Sequence, residues 1–241
     1  MRQKNSALKR IIIAIVLIIG IGVFGMTACA DSDNYDIDAL IQSKANNVIR
    51  VRAGMSEGSG TLVDMHYVPY SGYHGIIITC YHVVRGHLTG GNRFIEVALN
   101  DSPDYFRYAR LMDNGYDTRY DIAVFETVGP VLHDFAPTLE WANGDTLAEG
   151  QKVLTFGDAR GDGIVTSEGV VDAVNISEFI EGVNQTMTLI RVTSQIISGK
   201  SGGPTFDMQG RLIGINIGTR GGLGYLIPAA DARDVLERII L

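Results

Sequence analysis

A serine set among glycines, Gly199-Lys200-Ser201-Gly202-Gly203-Pro204, is the segment of this chain best suited to chemistry. Glycine permits the tight turn that presents a side chain, and the missing Cβ lets a carbonyl approach the neighbouring N–H groups. A serine hydroxyl is a poor nucleophile at its own pKa. It needs a base within hydrogen-bond reach, and the base needs an orienting group. Both types precede it in the chain: His82 in Thr79-Cys80-Tyr81-His82-Val83-Val84, and Asp121 in Tyr120-Asp121-Ile122-Ala123-Val124. The roles that follow are Ser201 as nucleophile, His82 as the base that later protonates the leaving amine, and Asp121 as the holder of the imidazole tautomer. The backbone N–H groups of Gly199 and Ser201 would form an oxyanion hole. Taken alone, the serine segment also fits a glycine-rich turn before a strand at Arg211–Ile217; the ordered histidine and aspartate favour the chemical reading. Asp117 competes with Asp121, but Asp121 directly precedes an apolar strand start that would bury it, while Asp117 reads as a solvated turn residue.

Other reactive residue types carry less. His66, His74, His87 and His133 stand in polar, turn-like contexts and read as surface residues. Cys80, on a strand expected to be buried, reads as a small apolar residue. No Cys/His spacing suggests zinc and no acidic loop has calcium-loop spacing, so neither metal nor cofactor is expected. The run Gly218–Gly224 lacks the lysine and the strand–helix context of a phosphate loop and reads as a flexible loop.

The elements that must position these residues are short and β-rich. Candidate strands are Val48–Ala53, Gly60–Asp64, Gly75–Thr79, Arg93–Leu99, Tyr105–Met112 and Ile122–Thr127. A second set follows at Gln151–Phe156, Val165–Val174, Thr186–Val192, Arg211–Ile217 and Leu223–Ile227. Many short strands with frequent turn signals indicate an all-β sandwich or barrel. Gly129–Leu147, with Pro130, Pro137 and Asn143-Gly144, reads as the crossing between two halves, which puts His82 and Asp121 in the first and Ser201 in the second. A short helix is expected near Asp36–Ser43, and helical periodicity otherwise occurs only at Ala229–Ile240.

The first residues are different in kind. Arg2, Lys4, Lys9 and Arg10 precede an apolar run of 18 residues, Ile11–Ala28. A positive segment followed by an apolar one marks an exported or anchored chain, with the positive flank on the cytoplasmic side. Met26-Thr27-Ala28-Cys29 resembles a bacterial lipobox, in which Cys29 would carry lipid, although Met26 departs from the usual leucine. An uncleaved signal anchor and a plain cleaved signal are the alternatives, and all three place the rest of the chain outside the cytoplasm. Residues 1–30 are thus leader and 31–46 linker. The whole chain carries a formal charge of −7; removing the four basic leader residues leaves 20 − 4 = 16 basic against 27 acidic, or −11. That excess repels phosphate backbones and argues against nucleic acid as a partner. With Cys29 in the leader, Cys80 has no partner for a disulfide within the domain.

Together these segments resemble the HtrA/Deg trypsin-like serine proteases of bacteria over about residues 47–240. Glu57-Gly58-Ser59-Gly60-Thr61 is similar to that family's early Gly-Ser-Gly strand, and Thr79–Val84 to its Thr-Asn-x-His-Val-Val. Asp117–Val124 is similar to its Asp-x-x-x-Asp-Ile-Ala-Val, Leu147–Gly157 to its Leu-x-x-Gly-x-x-Val-x-x-Ile-Gly, and Gly224-Tyr225-Leu226-Ile227-Pro228 to the segment before its closing helix. The resemblance implies a chymotrypsin-like double six-stranded β-barrel with a C-terminal helix: barrel one at about 47–130, barrel two at about 147–227 and the helix at 229–240. It implies an endopeptidase for protein or peptide substrates, and it implies a homotrimer as a common assembly, for which residues 31–46 could serve. Its substrate pocket maps onto Gln195, Ile196, Gly214, Ile215 and Asn216, none of them acidic, with Ile196 favouring small or medium apolar side chains. Two departures stand out. The sequence ends at Leu241, where family members usually continue into PDZ domains, so none is expected in cis. Lys200 replaces the usual asparagine before the nucleophile and cannot make the pair with a freed N-terminus that orders the oxyanion loop in digestive trypsins. A barrel retained as a non-catalytic chaperone or adaptor is the competing function.

Overall fold

The computed structural model describes residues 35–100, 102, 104–131, 139–159 and 163–241. The leader with Cys29, the start of the linker, His133 and Pro137 lie outside the described residues. Asp36–Leu241 form one compact unit. Among the described residues no helix is long and apolar enough to cross a membrane.

The chain enters through α1 (Ile37–Lys44), capped by Asp36, whose carboxylate accepts from the Ala39 N–H at 2.9 Å. Strands β1 (Val48–Ala53), β2 (Ser56–Val68), β3 (Gly72–Cys80), β4 (Phe94–Leu99), β5 (Arg107–Asp117) and β6 (Ile122–Thr127) close a barrel in the order β1-β2-β3-β6-β5-β4. Alternation explains β1: Val48, Ile49, Val51 and Ala53 are buried while Arg50 and Arg52 are partly exposed. In β3 the β-branched run Ile76-Ile77-Ile78 is buried throughout.

The second half holds β7 (Glu140–Trp141), β8 (Lys152–Asp158), β9 (Ile164–Ile180), β10 (Gln185–Val192), β11 (Pro204–Asp207), β12 (Arg211–Arg220) and β13 (Leu223–Pro228). Pairing runs β11-β8-β9-β10-β13-β12, and β11 also pairs with β12, so six strands close a ring. The seventh, β7, adds outside in parallel to β12. β7 and β11 were not expected from the sequence; both are short, and a two-residue strand has no period to detect. The closing helix α3 (Ala229–Ile240) buries Ala229, Ala232, Val235 and Leu236, one face of an amphipathic turn pattern.

One apolar core spans both barrels, joining Val51, Leu62, Ile77 and Phe125 of the first to Phe156, Leu189, Phe206 and Ile215 of the second and to α3. A smaller cluster in the second barrel contains Val153, Val171, Ile190, Val192, Ile196, Ile213 and Leu226.

Candidate active site

The serine loop is fastened across the seam. The Ser59 N–H on β2 donates to the Ser201 carbonyl at 2.8 Å, and the Ser59 hydroxyl donates to the Gly199 carbonyl at 2.7 Å. The Thr61 hydroxyl donates to the Gly202 carbonyl at 3.0 Å. From the other side, the Gly202 N–H donates to Asn216 O at 2.8 Å, and Asn216 Nδ2 donates to Phe156 O at 2.7 Å. Contact is too close for side chains: a Cβ on Gly202, where φ is +89°, would come within 2.1 Å of the Ser59 carbonyl oxygen. Gly199 is also left-handed, at φ +98°. The N–H groups of Gly199 and Ser201, the two expected oxyanion donors, find no acceptor among the described residues.

His82 stands in the first turn of a helix, α2 (Tyr81–Thr89), that begins where β3 ends. No helical pattern foreshadows this element, because Val83, Val84 and Gly86 are weak helix formers. Tertiary contacts impose it: Val83 and Val84 are buried, and the Tyr81 N–H donates to Asp121 O at 2.8 Å. Asp121 closes the turn into β6 at φ +53°, a left-handed conformation that aspartate tolerates better than most residues. Its side chain has no solvent exposure, so the carboxylate depends on protein donors. One oxygen accepts the His82 backbone N–H at 2.7 Å and the other meets His82 Nδ1 at 2.6 Å. A carboxylate facing Nδ1 assigns the proton there and leaves Nε2 as the free acceptor.

His82 and Asp121 are therefore brought together. Ser201 lies on the loop fastened to β2, and its hydroxyl donates to Ile217 O at 3.1 Å rather than to the imidazole. Ile217 and His82 share the wall of one cleft of about 310 Å³. The rest of that wall is the turn of the β9–β10 hairpin, Phe179–Val183, together with Gly218, Thr219, Arg220 and Tyr225. Arg220 pairs with Glu178, and Gln185 Nε2 donates to Thr118 O at 2.8 Å, which ties the hairpin to the wall and to the turn before Asp121. A larger cavity of about 560 Å³, lined by Asn143, Met187 and Asp231 among others, lies elsewhere and contains none of His82, Asp121 and Ser201.

None of the expected pocket residues lines this cleft. Gly214 packs against Ile227 O, Ile215 belongs to the main core, and Asn216 is fully buried with its amide spent on backbone carbonyls. The side chain of Ile196 packs into the smaller cluster, and Gln195 faces solvent. The cleft wall is the next stretch of β12, Ile217–Arg220, and the hairpin turn; β9 extends six residues past the expected end at Val174, which is why sequence reasoning missed it.

Asp117 is not a solvated turn residue. It ends β5 with its side chain 11% exposed, 2.6 Å from Arg119 and 3.0 Å from Arg238 on α3. The Arg119 hydrogen bond, with help from Arg238, lowers its pKa to about 2. His66 and His74 are cross-strand neighbours that share Glu126, at 3.0 and 3.6 Å. The Cys80 thiol is fully buried, donates to Asn216 O at 3.2 Å, and burial pushes its pKa well up. Cys80, His82 and Asp121 offer donor atoms within 4.8 Å of one another, the spacing a metal ion requires. The direct His82–Asp121 hydrogen bond already occupies the space between two of them.

Residues 58–215 match the family model described as "Trypsin-like peptidase domain". A "Probable periplasmic serine endoprotease DegP-like" of Rickettsia prowazekii is 27% identical over 69% of this chain and 31% of its own length. One of the same name from Pseudomonas savastanoi pv. phaseolicola is 34% identical over 66% of this chain and 32% of its own. The chain thus spans about a third of the length of these relatives. Among solved structures, that titled "Crystal structure of Deg5" superposes with a TM-score of 0.67 at 23% identity, covering 86% of this chain and 93% of its own.

Proposed function

Since the chain belongs to the trypsin-like peptidase family, we propose that it is an extracytoplasmic, membrane-tethered serine endopeptidase that hydrolyses unfolded or exported proteins. The observation that carries the reading is the buried Asp121 carboxylate bound to His82 Nδ1 at 2.6 Å, with Ile217, whose carbonyl accepts from the Ser201 hydroxyl, lining the same cleft as His82. In the proposed cycle the Ser201 hydroxyl turns from Ile217 O to His82 Nε2 and loses its proton to the ring as its oxygen attacks the scissile carbonyl. Asp121 stabilises the imidazolium without taking the proton. The carbonyl oxygen becomes an anion held by the N–H groups of Gly199 and Ser201. His82 then protonates the leaving amine, and water, deprotonated by the same ring, releases the acyl group.

The periplasmic naming of the relatives and the basic-apolar leader support an extracytoplasmic site. Lipid on Cys29 is the proposed tether, and residues 31–46 the proposed contact of a homotrimer. Palmitate incorporation that survives Cys29→Ala, and a monomer by sedimentation, would each remove one of these two parts.

A fluorophosphonate probe should label the protein at Ser201 and leave Ser201→Ala unlabelled. No labelling and no casein cleavage across the neutral to mildly alkaline range would sink the reading. The bond from Ser201 to Ile217 O, rather than to His82, favours a second reading in which the barrel binds exported proteins without cutting them. Suppression of aggregation that is equal in wild type and Ser201→Ala, without cleavage in either, would select it.

A further inference from the structure

We propose that Lys200 is a positioning residue that fixes the oxyanion loop through Ser167, and that its charge sets the alkaline limit of hydrolysis; this rests on the roles proposed above for Ser201 and Gly199. A lysine with no solvent exposure is rare, and this one stands between the two N–H donors of the proposed oxyanion hole. Its side chain runs away from the cleft into barrel two, where Nζ donates to the Ser167 hydroxyl on β9 at 2.8 Å. The anchor is itself held, since the Thr155 hydroxyl donates to Ser167 O at 3.1 Å. Gly157 on β8 makes the room: a Cβ there would lie 2.7 Å from both Cα and Cγ of Lys200. The main chain is pinned as well. The Lys200 N–H donates to Ile197 O at 3.1 Å, and its carbonyl accepts from the Gly203 N–H at 3.0 Å and from Asn216 Nδ2 at 3.3 Å.

No carboxylate pairs with this ammonium among the described residues. On β8 the adjacent acid is Asp158, which lies 3.9 Å from Arg50. On β9 the adjacent acid is Glu168, which is exposed and alternates to the opposite face from Ser167. Asn216 of β12 presents only an amide. Burial without a counter-ion lowers the Lys200 pKa to about 8. Below that pH the ammonium anchors the loop and sets a positive charge behind the two N–H donors. Above it the charge is lost, and with it the electrostatic support of the developing oxyanion.

The test uses the detergent-solubilised full chain, with Lys200→Met and Ser167→Ala beside wild type. The rate of fluorophosphonate labelling is read from about pH 6 to about pH 10, a range that brackets the group in question. Wild type should slow as pH rises through about 8. Lys200→Met should be slower by roughly 10²-fold at neutral pH and lack that alkaline limb, without a lower thermal midpoint. Ser167→Ala, which keeps the lysine but removes its acceptor, should move the limb to lower pH. Hydrogen exchange of the 198–203 amides in a Ser201→Ala background reads loop order without any activity, and should quicken when Lys200→Met is added. Labelling of Lys200→Met at the wild-type rate with the wild-type pH profile overturns the proposal, as does unchanged loop exchange. Wild type that never labels, but whose loop exchange depends on Lys200, refutes the nucleophile assignment and supports the anchoring.

Discussion

Ser59→Ala tests how the serine loop is held. The Ser59 side chain is fully buried, donates to Gly199 O at 2.7 Å and accepts from the Asp158 N–H at 2.8 Å. Alanine keeps the strand and the 2.8 Å backbone bond to Ser201 O, yet leaves one buried carbonyl and one buried N–H without their partner. Each such orphan costs about 1–3 kcal/mol, and some relaxation is expected, so the loss should be roughly 2–4 kcal/mol. Against a typical total of about 5–15 kcal/mol that is severe but survivable. At a urea slope near ~2 kcal/mol/M the midpoint should fall by roughly 1–2 M. The single tryptophan, Trp141 on β7, reports the transition by its fluorescence. Because the released carbonyl belongs to Gly199, loop geometry should suffer too, and fluorophosphonate labelling measured well below the midpoint should slow by on the order of tenfold or more. A variant within about 0.5 kcal/mol of wild type, the usual range for an inconsequential surface change, that also labels at an unchanged rate would falsify the clamp.

Other expected outcomes follow from the same geometry. Asp121→Asn presents an amide where both oxygens now accept, so His82 takes the wrong tautomer; hydrolysis should drop by on the order of 10⁴ with circular dichroism unchanged. Gly157→Ala drives a Cβ into Lys200 and should cost about 1–3 kcal/mol in urea unfolding, with loss of labelling. Asp117 has its folded pKa depressed from 3.8 to about 2, so its contribution is present at neutral pH and is lost as pH falls through about 4 toward 2. With exposed Arg119 as its main partner, Asp117→Asn should remove only about 1 kcal/mol at neutral pH and flatten that part of the acid-stability curve. Cys80 should resist a thiol reagent in the native protein at neutral pH and react at once on unfolding, as its burial and raised pKa require.

The sequence was most legible where a residue type has few alternatives. Glycines around Ser201 foretold close backbone approach, and the structure puts a neighbouring carbonyl where a Cβ of Gly202 would be. Alternation located β1, and the helical period located α3. What stayed hidden depends on contacts distant in sequence. The helix carrying His82 is made by burial of Val83 and Val84 against weak propensity. The cleft wall at Phe179–Val183 needs the full length of a hairpin whose alternation, carried by Val174 and Ile176, is broken by Glu178 before the turn. Asp117 read as solvated because its partner Arg238 is 121 residues away. Gly214–Asn216 face the core rather than the cleft beside His82, a matter of strand register that identity alone does not fix.

The fastening of the serine loop to β2 has a consequence for how the chain matures. Synthesis proceeds from the N-terminus, so the segments that carry His82 and Asp121 are made well before Ser201. On the proposed roles, the loop cannot take its working shape until Ser59 and Thr61 of β2 are there to receive it, and until Asn216, made later still, locks it from behind. On the same roles, a chain that lacks its later half would hold His82 and Asp121 without a clamped serine, and cutting would begin only once the loop docks.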